Sequence, residues 1–295
     1  MNKFYNSKFF NSPYLYLLII VIYSFCINFY YGNLGVYPID TFLHYDSAYR
    51  ILKNEFPIKD YWIVSGFIIE FIQSIFFKVL GTNWFAYIFH SSLINLITSI
   101  IVFYFFLDLK LNTLRAFIYT LSFSTLAYTI SGTPFVDHHA SFFLMIATFT
   151  MVKLISNPYN KTYLLLIIIL SFFSFLSKQV PVVYAFFTQG ILLIIFFKEH
   201  KNVYFYKYIF LYIFTIFLIF FAFLYFLKID LYLFIKEYIF YPSTIGSDRF
   251  FLFEKSFEKF FNQYKFLIIP LLISIFLKIK LISNNTTKNK NNIFK

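Results

Sequence analysis

The chain has 295 residues, 60% of them hydrophobic and 13% charged, with a mean hydropathy of +0.72. Soluble domains carry about 25% charged residues, so this composition excludes an ordinary water-soluble globule and points to a polytopic membrane protein. The net charge of +12 does not indicate a nucleic-acid binder, because most lysines stand at the ends of apolar runs, where cations flank membrane spans.

Lys3 and Lys8 precede the first apolar run, residues 13–31, with no small-residue cleavage motif. This predicts an uncleaved first span. The single cysteine, Cys26, lies inside that run, so neither an internal disulfide nor a cysteine metal site is available. Next comes PIDTFLHYDSAYRILKNEFPIKDYW, residues 38–62, with four of the thirteen acids, three basic residues and a histidine. Asp40 stands eight residues past the first run, close to the bilayer, where a charge is costly and marks a functional candidate. Asp46 fits a cap for a short helix carrying Arg50 and Lys53 on its exposed side. Asp60 and Lys59 fit a solvated turn after Pro57.

Residues 66–80, GFIIEFIQSIFFKVL, place Glu70, Gln73, Ser74 and Lys78 at helical spacing among apolar residues. The pattern predicts an amphipathic helix lying in the membrane interface rather than a short span with a polar stripe facing other helices. Further apolar runs follow at 85–107, 114–130, 138–156, 162–177, 180–197, 208–227 and 265–282. With the first run these make eight candidate spans, where about 17–25 residues are needed; the fifth, 162–177, is short. SGTPFVDHH, residues 131–139, joins the third and fourth spans. Asp137 there fits either a helix cap or a reactive acid, and His138 and His139 point about 100° apart on a helix. SKQVP, residues 177–181, offers Lys178 and Gln179, the lysine either snorkelling to the interface or meeting an anion. YPSTIGSDRF, residues 241–250, holds Asp248 and Arg249. The last twelve residues, 284–295, are polar and basic and read as a disordered cytoplasmic tail following a transmembrane domain over 1–283.

With residues 66–80 interfacial and the N-terminus cytoplasmic, fourteen of the 25 cations but only Asp108 and Glu199 among the acids fall on the cytoplasmic side. That agrees with the positive-inside rule. The same topology puts the loops 32–84, 131–139, 177–181 and 228–264 on the opposite, outer face. Every cluster of potentially reactive side chains then gathers at one membrane surface.

An acid just after the first span, a short helix ending in ILKNEFPIKDYW, an amphipathic helix and then FKVLGTNWFAYIFH form an order that resembles the GT-C superfamily of integral-membrane glycosyltransferases. The likeness is best over residues 10–200. Counting back from Lys59, Asp60 and Tyr61 sets Asp40 on the position of the family's catalytic acid, with Asp46 at a nearby alternative. Where the family has a second acid this chain has Thr41, and where it has a glycine before the turn it has Asn54. VDHH, residues 136–139, resembles the acidic motif of the second outer loop in the same superfamily.

The resemblance implies an all-α GT-C-like bundle of about eight transmembrane helices, with juxtamembrane amphipathic helices in the first outer loop. The resemblance also implies a place in the inner (plasma) membrane, with both termini cytoplasmic and the active site on the outer face. The implied activity is inverting transfer of a sugar from a polyprenyl-phosphate donor to a glycan or lipid acceptor. Asp40 or Asp46 would be the general base. Lys178, Gln179, Arg249, Asp60, Asp137, His138 and His139 would bind substrate and the leaving phosphate. A divalent cation at Asp137 with His138 or His139 fits a carboxylate–histidine pair. Two other classes compete: a transporter or flippase, with His90, Ser91, Ser92 and Asn95 lining a path, and a non-catalytic membrane scaffold.

Overall fold

A computed structural model describes residues 12–36, 38–63, 65–128, 132–180, 182–200 and 203–245, with scattered positions between 261 and 276. Arg249, Asp248 and the tail 284–295 lie outside the described residues. The described chain is helical: α1 Pro13–Gly32, α2 Pro38–Leu52, α3 Ile68–Leu80, α4 Trp84–Asp108, α5 Thr113–Leu126, α6 Val136–Ser156, α7 Lys161–Ser177, α8 Val182–His200, α9 Val203–Leu227 and α10 Leu231–Ile235, followed by a π-helical turn, Lys236–Phe240. The one β-type pairing among the described residues is an isolated bridge between Pro57 and Tyr61.

Asparagine and aspartate start several of these helices. Asn83 accepts from Ala86 N at 2.8 Å, Asn112 from Arg115 N at 2.9 Å, Asn160 from Thr162 N at 3.0 Å, and Asp230 from Leu233 N at 2.8 Å. Each satisfies a backbone donor that has no partner within its helix. Pro13 opens α1, where its missing N–H costs nothing.

Four segments are long and apolar enough to cross a membrane: α1, α4, α6 and Tyr206–Leu227 of α9. At about 1.5 Å per residue each spans the roughly 30 Å of hydrocarbon. α7 and the Val182–Lys198 part of α8 are apolar but shorter. The chain divides into two compact units, Met1–Tyr241 and Pro242–Lys295. The described positions of the second are mostly helical, with Leu271, Leu272 and Ile273 exposed. All geometry below concerns the first.

Within that unit polar side chains are buried alongside the apolar core. α1 turns Ser24, Asn28 and Gly32, spaced four apart, into the bundle, and leaves Leu18 and Ile22 outward. Lipid tails are as apolar as leucine, so small and polar residues hold membrane helices together. Asn28 Nδ2 donates to Ser91 Oγ at 3.0 Å, Ser92 Oγ at 3.1 Å and Gly132 O at 3.1 Å. Asn95 Nδ2 donates to Ser24 O at 3.0 Å and Ser124 O at 2.9 Å. These bonds join α1, α4, α5 and the turn before α6. Ser174 Oγ donates to Ala140 O at 2.6 Å and ties α7 to α6.

α3 presents most of its polar stripe to the protein: Glu70, Gln73 and Ser74 are buried, while Lys78, Ile75 and Val79 face out. The reason is that His44 on α2 and His90 on α4 supply buried partners for Glu70 and Gln73, which hydrocarbon cannot do.

Two glycines are required by close approach. A Cβ on Gly66 would lie 1.7 Å from Leu176 O, and one on Gly132, at φ +62°, would lie 2.2 Å from Gly32 N. Gly66→Ala and Gly132→Ala should each destabilise the detergent-solubilised protein by about 1–3 kcal/mol or more. Gly35→Ala, with nothing within 4 Å, should leave the unfolding midpoint nearly unchanged. Thermal unfolding followed by circular dichroism checks the contrast.

Candidate functional site

Several helix ends converge at one end of the bundle. Tyr87, in the first turn of α4, donates its hydroxyl to Thr41 O at 3.0 Å and lies 3.4 Å from Pro134 O. This joins the start of α2 to the turn before α6. Trp84 Nε1 donates to Gly32 O at 3.1 Å and Gly66 N to Ser177 O at 3.0 Å. The start of α3 and the ends of α1 and α7 therefore belong to the same layer, and three separate loops deliver polar groups to it.

Asp40 stands in the first turn of α2, half-buried, with no hydrogen bond or ion pair among the described residues. One turn later on the same side is His44, buried and edge-on to Phe135, the residue that precedes α6. Asp46 lies on another side of α2. It is exposed and accepts from Arg50 Nε at 2.7 Å, and Arg50 also reaches Glu55 at 3.2 Å. Asp60 closes its own turn, accepting from Phe56 N at 2.8 Å, with Lys59 at 3.5 Å. Tyr61 fastens this loop to α2 through Ser47, its hydroxyl 2.5 Å from Ser47 Oγ and 3.2 Å from Ser47 O. Burial pushes the Tyr61 phenol well up from its ordinary value, which keeps it a neutral donor.

Asp137 does not cap α6, whose N-cap is Phe135. Its carboxylate meets Lys178 Nζ at 2.5 Å, joining the start of α6 to the end of α7. Both side chains are about a third to two-fifths exposed, so an anion arriving at this surface would compete with Asp137 for the ammonium. Gln179 turns inward and donates to Tyr238 O at 2.8 Å. His138 and His139 diverge. His138 stacks on Tyr128, ring centroids 5.1 Å apart, with Nδ1 buried and unpartnered. His139 is fully buried and sets Nδ1 3.0 Å from Phe135 O. Among the described residues no three His, Cys, Asp or Glu groups converge on one point.

Behind this surface is a buried polar layer that sequence reasoning did not assemble. His44 Nδ1 lies 2.6 Å from Glu70 Oε1, with both side chains almost wholly out of contact with solvent. His90 Nδ1 lies 2.8 Å from Gln73 Oε1, and His90 Nε2 3.3 Å from His139 Nε2. The signal in the sequence is polar residues at three- and four-residue spacing inside apolar helices: Glu70, Gln73 and Ser74 on α3, and His90, Ser91, Asn95, Thr98 and Ser99 on α4.

A separate apolar cavity of about 290 Å³ lies among α3, α7 and α9. Phe67, Ile68, Phe172, Leu176, Phe220 and Phe223 form most of its wall. Leu176, at its upper end, is two residues before Lys178. The cavity thus runs along the bundle from the layer that holds the Asp137–Lys178 pair.

Compared with protein-family models, curated proteins and solved structures, the chain matches none.

The buried His44–Glu70 contact and the exposed Asp46–Arg50 pair should behave differently on mutation. His44→Ala strips a buried carboxyl of its partner and should destabilise the protein by about 3–5 kcal/mol. Asp46→Asn removes an exposed pair of the kind worth about 0–1 kcal/mol. Denaturant unfolding in mixed micelles measures both, and equal losses would contradict the burial described.

Proposed function

We propose that the chain is a membrane glycosyltransferase of the GT-C type, moving a sugar from a polyprenyl-phosphate-linked donor to an extracytoplasmic glycan, lipid or protein acceptor. In this reading eight helices span the inner membrane, both termini are cytoplasmic, and the layer holding Asp40, Asp137 and Lys178 faces outward. The observation that carries it is the juxtaposition at one end of the bundle of an unpartnered carboxylate, a partly exposed lysine and the head of an apolar cavity. Such a layer suits a reaction between a lipid-borne donor and a water-borne acceptor.

Asp40 accepts the proton of the acceptor hydroxyl as its oxygen attacks the anomeric carbon. The bond from that carbon to the phosphate oxygen breaks on the opposite side, and the configuration inverts. The phosphate leaves with the electron pair, and its charge is met by Lys178 once the lysine is released from Asp137. The cavity among α3, α7 and α9 holds the first isoprene units. Asp46, tied to Arg50 at the surface, is the weaker candidate for the base. Asp60 and Gln179 act by holding the loop 56–61 and the α7 end in place.

A second reading, a transporter, is favoured by the ionisable groups inside the bundle, His44 with Glu70 and His90 with His139, since intramembrane residues of this kind often mark substrate or proton paths. The transferase reading accounts better for Asp40, which stands at the end of the bundle rather than midway along it.

Sugar transfer in membranes, with a panel of polyprenyl-phosphate sugars and matched expression, separates the two readings. Asp40→Asn should lower transfer by about 10²–10⁴-fold, Lys178→Ala should lower it too, and Asp46→Asn should leave it within a few-fold. Unchanged transfer in Asp40→Asn removes the base. Substrate counterflow that survives Asp40→Asn but is lost in Glu70→Gln favours the transporter.

A further inference from the structure

His44 Nδ1 lies 2.6 Å from Glu70 Oε1, with the two side chains 4% and 0% exposed. The other oxygen, Glu70 Oε2, is buried and unpartnered. Among the described residues neither member bonds a lysine or an arginine. A lone carboxylate is costly to bury, so burial favours a pair with no net charge. Two arrangements of the shared proton achieve that. In one, an imidazolium donates from Nδ1 to a carboxylate. In the other, a carboxylic acid donates to Nδ1 of a neutral ring. A neutral ring has one N–H and an imidazolium two, so both arrangements carry a hydrogen at Nε2. Fastening α3 to α2 uses Nδ1 alone. The donor at Nε2 is left over, and it makes no hydrogen bond among the described residues.

We infer that this Nε2–H holds the carboxylate of Asp40 during the proposed transfer, and that His44 and Glu70 are the positioning residues of that base; the inference rests on the transferase reading. Asp40 stands four residues before His44 on the same helix. Side chains so spaced are neighbours, with Cβ atoms about 5–6 Å apart. An ionised carboxylate only accepts and an N–H only donates, so the two unpaired groups are complementary. Glu70 at 2.6 Å and Phe135, edge-on with ring centroids 5.6 Å apart, fix the imidazole from two sides. Asp40 and His44 are not bonded in the structure, and catalytic hydrogen bonds of this kind tighten when substrate arrives. The bond then fixes one oxygen of Asp40 and leaves the other for the acceptor hydroxyl. A reactive group paired with a neighbour that a third group orients is the general logic of activated sites. The competing acceptor on this side of α2 is Thr41 Oγ1, buried without a partner three residues before His44.

His44→Asn isolates the hydrogen at Nε2. Its amide can still donate to Glu70 from the place of Nδ1, but it puts nothing at the place of Nε2. Sugar transfer is measured in membranes at matched expression, with a panel of polyprenyl-phosphate sugars, for wild type, His44→Asn, Asp40→Asn and the double variant. We expect His44→Asn to lower kcat by about 10²-fold, the cost of a misplaced catalytic group, with KM for donor and acceptor unchanged. In the Asp40→Asn background it should cost nothing further, because groups that act as a unit are not additive. Thr41→Val should leave kcat near wild type. A pair that only clamps α3 to α2 gives another pattern, the same loss with and without Asp40. That result overturns the inference, as does a folded His44→Asn with wild-type kcat, or a loss in Thr41→Val as large as in His44→Asn. Where His44→Asn does not fold, His44→Nε2-methylhistidine decides. It keeps the ring and Nδ1 and lacks the hydrogen at Nε2, and an unchanged kcat overturns the inference. A wild type that transfers from no donor overturns the transferase reading and this inference together. Transfer that needs Asp40 but not His44 overturns this inference alone.

Discussion

Inside the hydrocarbon layer there is no water to satisfy a polar group, so every buried donor must find its acceptor in another part of the chain. The rest of this structure depends on how Asn28 meets that constraint. Its amide nitrogen reaches Ser91, Ser92 and the carbonyl of Gly132, and Ser91 Oγ reaches the same carbonyl at 2.6 Å. The turn that precedes α6 is thereby fixed to α1 and α4. Asp137, His138 and His139 follow within a few residues of that turn, so their positions are set by an asparagine more than a hundred residues earlier. Each such bond is worth only about 0.6 kcal/mol on average in a membrane. The specificity comes from several converging on one carbonyl.

That arrangement separates two groups of paired polar side chains. The exposed ones, Asp46 with Arg50 and Asp60 with Lys59, settle local turns of the α2 region. The buried ones, Glu70 with His44 and Gln73 with His90, set how α3 sits against α2 and α4. Asp40 belongs to neither. It stands on α2, a helix held in place from below by His44 and from the side by Tyr61, yet its own carboxylate makes no bond among the described residues. Asp46, by contrast, is engaged by Arg50.

Much of the helical order was readable from the apolar runs. The runs at 13–31, 85–107, 138–156, 162–177 and 208–227 each coincide with a helix to within a few residues, because length and hydropathy are local properties. Counting crossings predicts that Asp40, Asp137 and Lys178 share one membrane face; of these, Asp137 and Lys178 are in direct contact. What could not be read was pairing. Nothing within seven residues of Asp137 names Lys178, forty-one positions on. The stripe on α3 had the right spacing, but its direction depended on His44 and His90, which lie in other helices. His90 sits in a run whose hydropathy conceals it. The run at 265–282 and Arg249 fall largely or wholly outside the described residues.

The Asp137–Lys178 pair also has a mechanical side. α6 and α7 are antiparallel neighbours joined at one end by a turn of four residues, 157–160. The ion pair fastens them at the other. A helical hairpin tied only at its turn can splay from its free end, one hydrogen bond at a time, as helix termini do. Tied at both ends, it has no free end from which to begin. The pair's own Coulomb energy at a partly exposed surface is small, but it acts where peeling would start. Whatever draws Lys178 away from Asp137 therefore does more than neutralise a charge: it turns a closed ring of two helices back into an open clasp.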